Sequence, residues 1–355
     1  MSSILENIND SFFDYIENNQ NVEDITKLLL KKENLSFDKK FAIVQIECRK
    51  KAKNKLSELL QDRKFLFPKL FSAEQATHEI VAKFHGTLFS ESDEVLDMTM
   101  GLGVDDYYIS KVASNVTGIE LDNDISNISK YNYLRIAKNI EVINADSCEY
   151  IQHCNKQFSA IFIDPARRDA NNKRLFSFAD CLPNVIELLP YIQANSDKLF
   201  IKASPMLDIS QSIRELKHVS EIWIIAIKNS CKELLFKLDF KSSEARNNII
   251  IHTINYDIHT QQLDFELDEE SSNLDFCNPE TNMYLLEPNS SILKAGMANN
   301  LPNKISNIKK IDINSHLFLS QDKVQNFPGR QFIINEIIPF KDKELKRLKR
   351  YKAMR

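Results

Sequence analysis

The chain lacks paired cysteines. Its six, Cys48, Cys148, Cys154, Cys181, Cys231 and Cys277, include no CxxC, and His153 beside Cys154 is not a metal-ligand pattern. No metal site is therefore expected, and the thiols read as reduced and mostly buried in a cytoplasmic protein. No apolar run approaches the ~20 residues of a membrane span. The start, MSSILENINDSFFDYIENN, is acidic and polar too early for a signal peptide. Positive charge is not in excess either: the formal net charge is -4, so any nucleic-acid surface must come from local basic patches. Glycine is scarce, six in 355 residues, where an average chain carries about 7%. Two of the six, Gly101 and Gly103, share one turn, and Gly118 stands just before the next acid. A glycine-poor chain that spends its glycines this way needs a close backbone approach there.

What is present falls into three textures. Residues 1 to about 90 carry apolar residues at helical spacing (Phe12, Phe13, Ile16; Ile25, Leu28, Leu29). A longer helix is expected from Asp38 to about Asp62, with Arg49, Lys50, Lys51, Lys53 and Lys55 on its other faces as a solvated surface or a phosphate contact. Ser72, with Gln75 three residues on, reads as a capping box. From Val95 the pattern becomes alternating strands and helices: VLDM, VTGIELD, IEVINAD, AIFIDP, LFIKAS and EIWIIAIK, separated by amphipathic segments. That alternation predicts an α/β fold with a mostly parallel sheet covered on both faces. After about 240, NNIIIHTINYDIH and QQLDFELD predict a hairpin, and short strands and a helix between 283 and 340 predict a small α+β unit. A basic helix, KDKELKRLKRYKAMR, closes the chain.

The turn EVLDMTMGLGVD is a strand ending in Asp97, then GxG, then a helix start. It would place free backbone amides where a nucleotide-like ligand can approach. Acids recur at the ends of the following strands: Glu120, Asp146 and Asp164. Singly, each is more often a helix N-cap; in series they mark the ligand-binding edge of an open α/β sheet. Glu120 is placed to accept ribose hydroxyls, and Asp146 to meet or frame an adenine. Two cofactors suit this layout, a nicotinamide dinucleotide or S-adenosylmethionine. The third glycine of GxGxxG is replaced by Asp106, poor company for a pyrophosphate. Asp97 and Asp105 would attract the ammonium of the methyl donor, which the pattern favours. After the fourth strand, Asp164-Pro165-Ala166-Arg167-Arg168-Asp169 aims a carboxylate and nearby carbonyls at a transferred methyl, or is a structural turn whose arginines pair with Asp169 or bind solvent. Lys202, in KASPMLD, faces the same cleft and would contact substrate phosphate or pair with an acid.

VLDMTMGLGVD, IFIDPARRD, KASPMLD and NSCKELL, with FSAEQATHEIVAKFH upstream and YLLEPNSSILKAG and FPGRQF downstream, resemble class I S-adenosylmethionine-dependent methyltransferases with a THUMP-like C-terminal region. The resemblance covers roughly residues 65 to 340. It implies a Rossmann-like, seven-stranded, mostly parallel sheet at 71–242, an N-terminal helical domain at 1–70 and a small ferredoxin-like or THUMP-like α+β domain, incomplete, at 243–355. It implies that Asp97, Thr99, Gly101 and Gly103 line the methionine end of the cofactor, Glu120 its ribose and Asp146 its adenine, with Gln75 and Thr77 packed beside it. Asp164 and Pro165 would stand at the methyl, with Arg167 and Lys202 completing the catalytic set. The implied substrate is RNA, tRNA or rRNA; a small molecule or protein as methyl acceptor, or a cofactor- and RNA-binding protein without catalysis, are the alternatives. Two features depart from the family: Met100 stands where glycine is usual, and the chain stops at Arg355 without an RNFP-like segment.

Overall fold

The computed structural model describes residues 5–167, 177–241, 249–271, 274–339 and 341. By contact the chain divides into two compact units, residues 1–220 with 235–246 and residues 221–234 with 247–355.

The first unit opens with helices: α1 (Asp10–Asn19), α2 (Ile25–Leu30), α3 (Lys39–Ala52), α4 (Leu70–Gln75) and α5 (Glu79–Gly86). Asn9 caps α1 by accepting from the Phe12 amide, and the helix buries Phe12, Phe13 and Ile16. Asp38 caps α3, accepting from the amides of Lys40 and Phe41. α3 stops at Ala52, well short of the expected Asp62. Beyond it Leu56 and Leu59 bury from turns, and the Arg49 guanidinium donates to the carbonyls of Asp62, Arg63 and Phe65, folding the chain back. Lys50 donates to the Val22 carbonyl, Lys51 pairs with Glu74 and Lys55 donates to the Glu74 carbonyl, so most of the basic face ties helices together. The capping box at Ser72 does not form. The Ser72 amide already bonds the Lys69 carbonyl, so the first turn begins earlier and Ser72 lies buried inside α4.

Strands and helices then alternate: β1 (Glu94–Asp97), α6 (Val104–Ser110), β2 (Asn115–Glu120), α7 (Asn123–Ile136), β3 (Ile140–Asn144), α8 (Ser147–His153), β4 (Ala160–Ile163), the short β5 (Ala166–Arg167) and β6 (Cys181–Leu182), α9 (Val185–Asn195), β7 (Lys198–Ala203) and α10 (Ile209–Leu216). The long strands run parallel in the order β7-β4-β1-β2-β3. Their interiors are almost wholly buried, as a parallel sheet covered on both faces requires. Residues of the N-terminal helices share cores with this layer: Cys48, Leu56 and Phe65 pack with Leu102, Val104 and Tyr108, and Phe12 and Ile43 with Ile128. Residues 1–70 therefore belong to the same unit as the parallel strands.

β8 (Val219–Ile227) and β9 (Ser230–Asp239) carry the chain across the boundary between the units. In the second unit β10 (Ile250–Tyr256) pairs antiparallel with β11 (Gln261–Glu266), the expected hairpin, and also parallel with β8. A separate antiparallel sheet follows, formed with α11 (Ser290–Ala295) and α12 (Leu301–Lys304) between its strands: β12 (Tyr284–Pro288), β13 (Lys309–Lys310), β14 (Phe318–Ser320) and β15 (Gly329–Ile333), in the order β13-β14-β12-β15. Of the six cysteines only Cys48 and Cys181 are buried and the other four are half-buried, fewer than expected. Among the described residues no helix is long and apolar enough to cross a membrane, and no cluster of three or more His, Cys, Asp or Glu could hold a metal ion. The basic segment expected as a terminal helix lies, from residue 342 on, outside the described residues.

Candidate active site

The carboxyl ends of β1, β2, β3 and β4 surround a cavity of about 550 Å³ in the first unit. Five carboxylates line it: Asp97, Asp105, Glu120, Asp146 and Asp164. Gln75, Thr77, Thr99, Gly101 and Gly103 line it as well, so the expected cofactor residues converge on one place. Pro165 sits between two lining residues, Asp164 and Ala166. Arg167 ends β5, and Arg168 and Asp169 lie outside the described residues.

The glycine turn is held from several sides. Met98 N–H bonds Phe162 O (3.0 Å), Met100 N–H bonds Ile119 O (3.0 Å) and Gly103 N–H bonds Met100 O (2.8 Å). Thr99 N–H donates to Asp97 (2.7 Å) and Gly101 N–H to Glu120 (3.0 Å). From α7, Ser129 donates to Gly101 O and Tyr133 to Leu102 O. These five turn amides are thus spent inside the protein, not free for a ligand as the GxG spacing suggested. Without those donors, and with carboxylates around it, the cavity is poorly suited to a pyrophosphate. The same donor set fits a ligand with a cationic amino-acid end and ribose hydroxyls.

Gly101 and Gly103 have φ of +54° and +76°, a region that favours glycine. A Cβ on Gly103 would lie 2.6 Å from Met100 Cε and 2.5 Å from Tyr133 Cε2; one on Gly118 would lie 2.4 Å from Met100 Sδ. The Met100 side chain therefore runs across two bare glycines. A methionine at this position is therefore absorbed by packing beneath the turn.

Beneath the turn lies a network of buried charges. Asp105 accepts from Thr77 Oγ1 (2.6 Å) and Lys202 Nζ (3.0 Å), and its other oxygen meets His85 Nδ1 at 2.8 Å. Burial alone would raise the Asp105 pKa, but Lys202 and His85 hold it well below the usual carboxylate range. Lys202 Nζ also donates to Thr77 (2.8 Å) and pairs with Asp164 (2.8 Å). The lysine thus pairs with two acids. Thr99 Oγ1 accepts from the Asp164 amide at 2.6 Å and donates to Asp97, linking the ends of β1 and β4. Burial, with the charges of Asp105 and Asp164, pushes Asp97 up to about 7, against the Thr99 amide and Lys202, which lower it. Glu120 is raised by burial although the amides of Asp122 and Gly101 bond its two oxygens. Asp146 accepts from the amides of Cys148 and Glu149 and so caps α8 while lining the cavity. Two buried residues beneath the turn carried no sequence signal as site residues: His85, which bonds Asp105, and Asp106, which the sequence marked only as hostile to a pyrophosphate.

Strand-end acids around a glycine turn, on a parallel sheet flanked by helices, give this chain the class I methyltransferase fold. A protein from Porphyromonas gingivalis W83, described as a methyltransferase, superposes on it with a TM-score of 0.84 and 26% identity, over 96% of this chain and 84% of that one. An uncharacterised RNA methyltransferase of Mycoplasma mobile (strain ATCC 43663 / 163K / NCTC 11711) is 27% identical over 165 residues, 43% of this chain and 45% of the relative. The chain thus spans less than half the length of that relative. Residues 284–328 match a ferredoxin-like domain, the coarser of the two descriptions expected for the C-terminal region.

Proposed function

We propose that this chain is an S-adenosylmethionine-dependent methyltransferase acting on RNA, tRNA or rRNA. The observation that carries the cofactor reading is the convergence of five carboxylates on a turn whose amides point inward. Asp97 and Asp105, with Thr99, Gly101 and Gly103, hold the methionine end; Glu120 takes the ribose hydroxyls, Asp146 frames the adenine, and Gln75 and Thr77 pack alongside. Bound there, the cofactor supplies an electrophilic methyl on a sulfonium. The protein's part is to hold an acceptor in line with that methyl. Asp164 accepts a hydrogen bond from the acceptor, Pro165 fixes the chain as it leaves β4, Lys202 orients Asp164 through their 2.8 Å pair, and Arg167 completes the set.

The RNA reading draws on the Mycoplasma mobile relative, named as an RNA methyltransferase, and on the sequence resemblance of the C-terminal region to THUMP-like domains. The test is transfer of a labelled methyl to total RNA from a strain lacking the gene, beside calorimetric titration of the cofactor. Asp164→Ala should lower transfer at least about 100-fold, the scale lost with a group acting at the reacting centre, while cofactor affinity changes only a few-fold. Unchanged turnover would remove Asp164 from the mechanism. Cofactor binding with no transfer to any RNA would point to another acceptor or to a non-catalytic binding protein.

A further inference from the structure

We propose that Asp106 is a positioning residue of this site: its carboxyl shares a proton with Asp97, so that the pair presents a single negative charge, on Asp97, to the ammonium end of the methyl donor. The inference rests on the cofactor reading above. Asp106 is 0% exposed, and neither of its carboxyl oxygens has a hydrogen-bond partner among the described residues. An uncompensated carboxylate at such depth is costly enough that the group takes up a proton instead. Its place identifies the partner. Asp97 stands in register with Gly118 across the β1–β2 ladder, and Asp106 Oδ1 lies 2.9 Å from where a Gly118 Cβ would sit. The charge of Asp97 bears on Asp106, so the two carboxyls are neighbours on the side of β2 that Gly118 leaves bare. Ionised carboxylates only accept, so two of them bond only when one carries a proton.

The groups facing the pair decide which acid keeps the proton. α6 supplies Asp105, the segment after β4 supplies Asp164, β7 supplies the Lys202 ammonium, and α7 supplies the neutral Tyr133 phenol. His85 on α5 acts through Asp105. Lys202 and the Thr99 amide favour the anion on Asp97; on Asp106 its own backbone amide favours the anion, but burial and the negative charges of Asp97 and Asp105 outweigh it and raise the group well above the usual carboxylate range. Asp106 therefore stays protonated while Asp97, with a pKa of about 7, exchanges its own proton near neutrality. A cation beside Asp97 requires the anion, so below pH 7 binding of the methyl donor expels the Asp97 proton to the buffer. Affinity then falls roughly tenfold per pH unit.

The experiment is calorimetric titration of S-adenosylhomocysteine into the full chain between pH 5.5 and 7.0, in two buffers of different ionisation enthalpy. Over that range the ligand's amine stays protonated. The expected result is release of close to one proton per ligand at the acid end, with affinity rising toward pH 7. In Asp106→Asn the amide donates to Asp97 without bringing a second ionisable acid. Its profile should therefore stay close to wild type, whereas Asp106→Leu, which removes the donor, should move proton release to higher pH and weaken binding at pH 5.5. Ligand binding by wild type without proton release, or a folded Asp106→Leu with the wild-type profile, would overturn the proposal. If Asp106→Leu does not fold, as judged by circular dichroism, the wild-type proton count decides. No binding at any pH would sink the cofactor reading itself and the dyad's role with it, whereas binding without proton release sinks the dyad alone.

Discussion

Met100 shows how a bulky residue inside a glycine turn is settled by its neighbours. The side chain is 5% exposed and lies where Cβ atoms on Gly103 and Gly118 would be, at 2.6 Å and 2.4 Å. The scarce glycines therefore serve two ends: positive φ at 101 and 103, and room for a methionine and the Asp106 carboxyl at 118. Gly118→Ala should cost about 1–3 kcal/mol by overpacking, measured by urea unfolding. Met100→Ala should cost less in the Gly118→Ala background than in wild type, because the two groups compete for the same space. Strictly additive losses would show that Met100 does not fill the space over Gly118. The strand-end acids were legible in the sequence because their spacing follows successive βα units. His85 and the inward role of Asp106 were not, since nothing local announces that a histidine is wholly buried against an aspartate 20 positions away.

At the scale of elements, starts were easier to read than stops. α3 begins at Asp38 as its side chain dictates. Asp38→Ala should lower stability by about 1 kcal/mol, seen as a shift of the urea midpoint with the m-value unchanged, and no shift would remove the cap from the account. The end of α3 depends on Arg49 reaching carbonyls 13 to 16 residues ahead, which periodicity cannot see. The glycine turn divides the same way. Its position was legible from the GxG and the flanking acids, but the direction of its amides was not. That direction is set by Phe162, Ile119 and Glu120, on strands that only the fold brings together. The lesson concerns ligand class: a GxG turn offers amides to a phosphate only when the sheet leaves them unspent.

At the scale of the whole molecule, the boundary between units was the least legible feature, because residues 221–234 join 247–355 through the long-range pairing of β8 with β10. The same pairing brings His252 beside Glu221 (3.1 Å), with Asp264 at 2.9 Å and Trp223 stacked on the ring at 5.0 Å. Burial would lower the His252 pKa, but the two carboxylates raise it. Its stabilising contribution is therefore complete below the unfolded value near 6.5 and is lost as pH rises through the folded one. Asp97 and Asp106 act in the same sense. Their folded pKa values exceed the unfolded carboxylate value of about 4, so the folded chain holds more protons and stability falls as pH climbs toward and beyond 7. Asp105, lowered in the fold, works in the opposite sense, but its contribution is intact above about pH 4 and fades only in stronger acid. Between pH 5.5 and 8 these three groups add with one sign. The melting temperature of the ligand-free protein should fall across that range, and Asp106→Asn and His252→Gln should each flatten the decline, scored by calorimetric melts. A decline untouched by either substitution would assign it to other groups. Saturating S-adenosylhomocysteine should oppose the trend, its stabilising effect growing from pH 5.5 to 7 as Asp97 ionises. The ligand and the proton compete for one carboxylate, so the ligand-free and ligand-bound melting curves should diverge with rising pH.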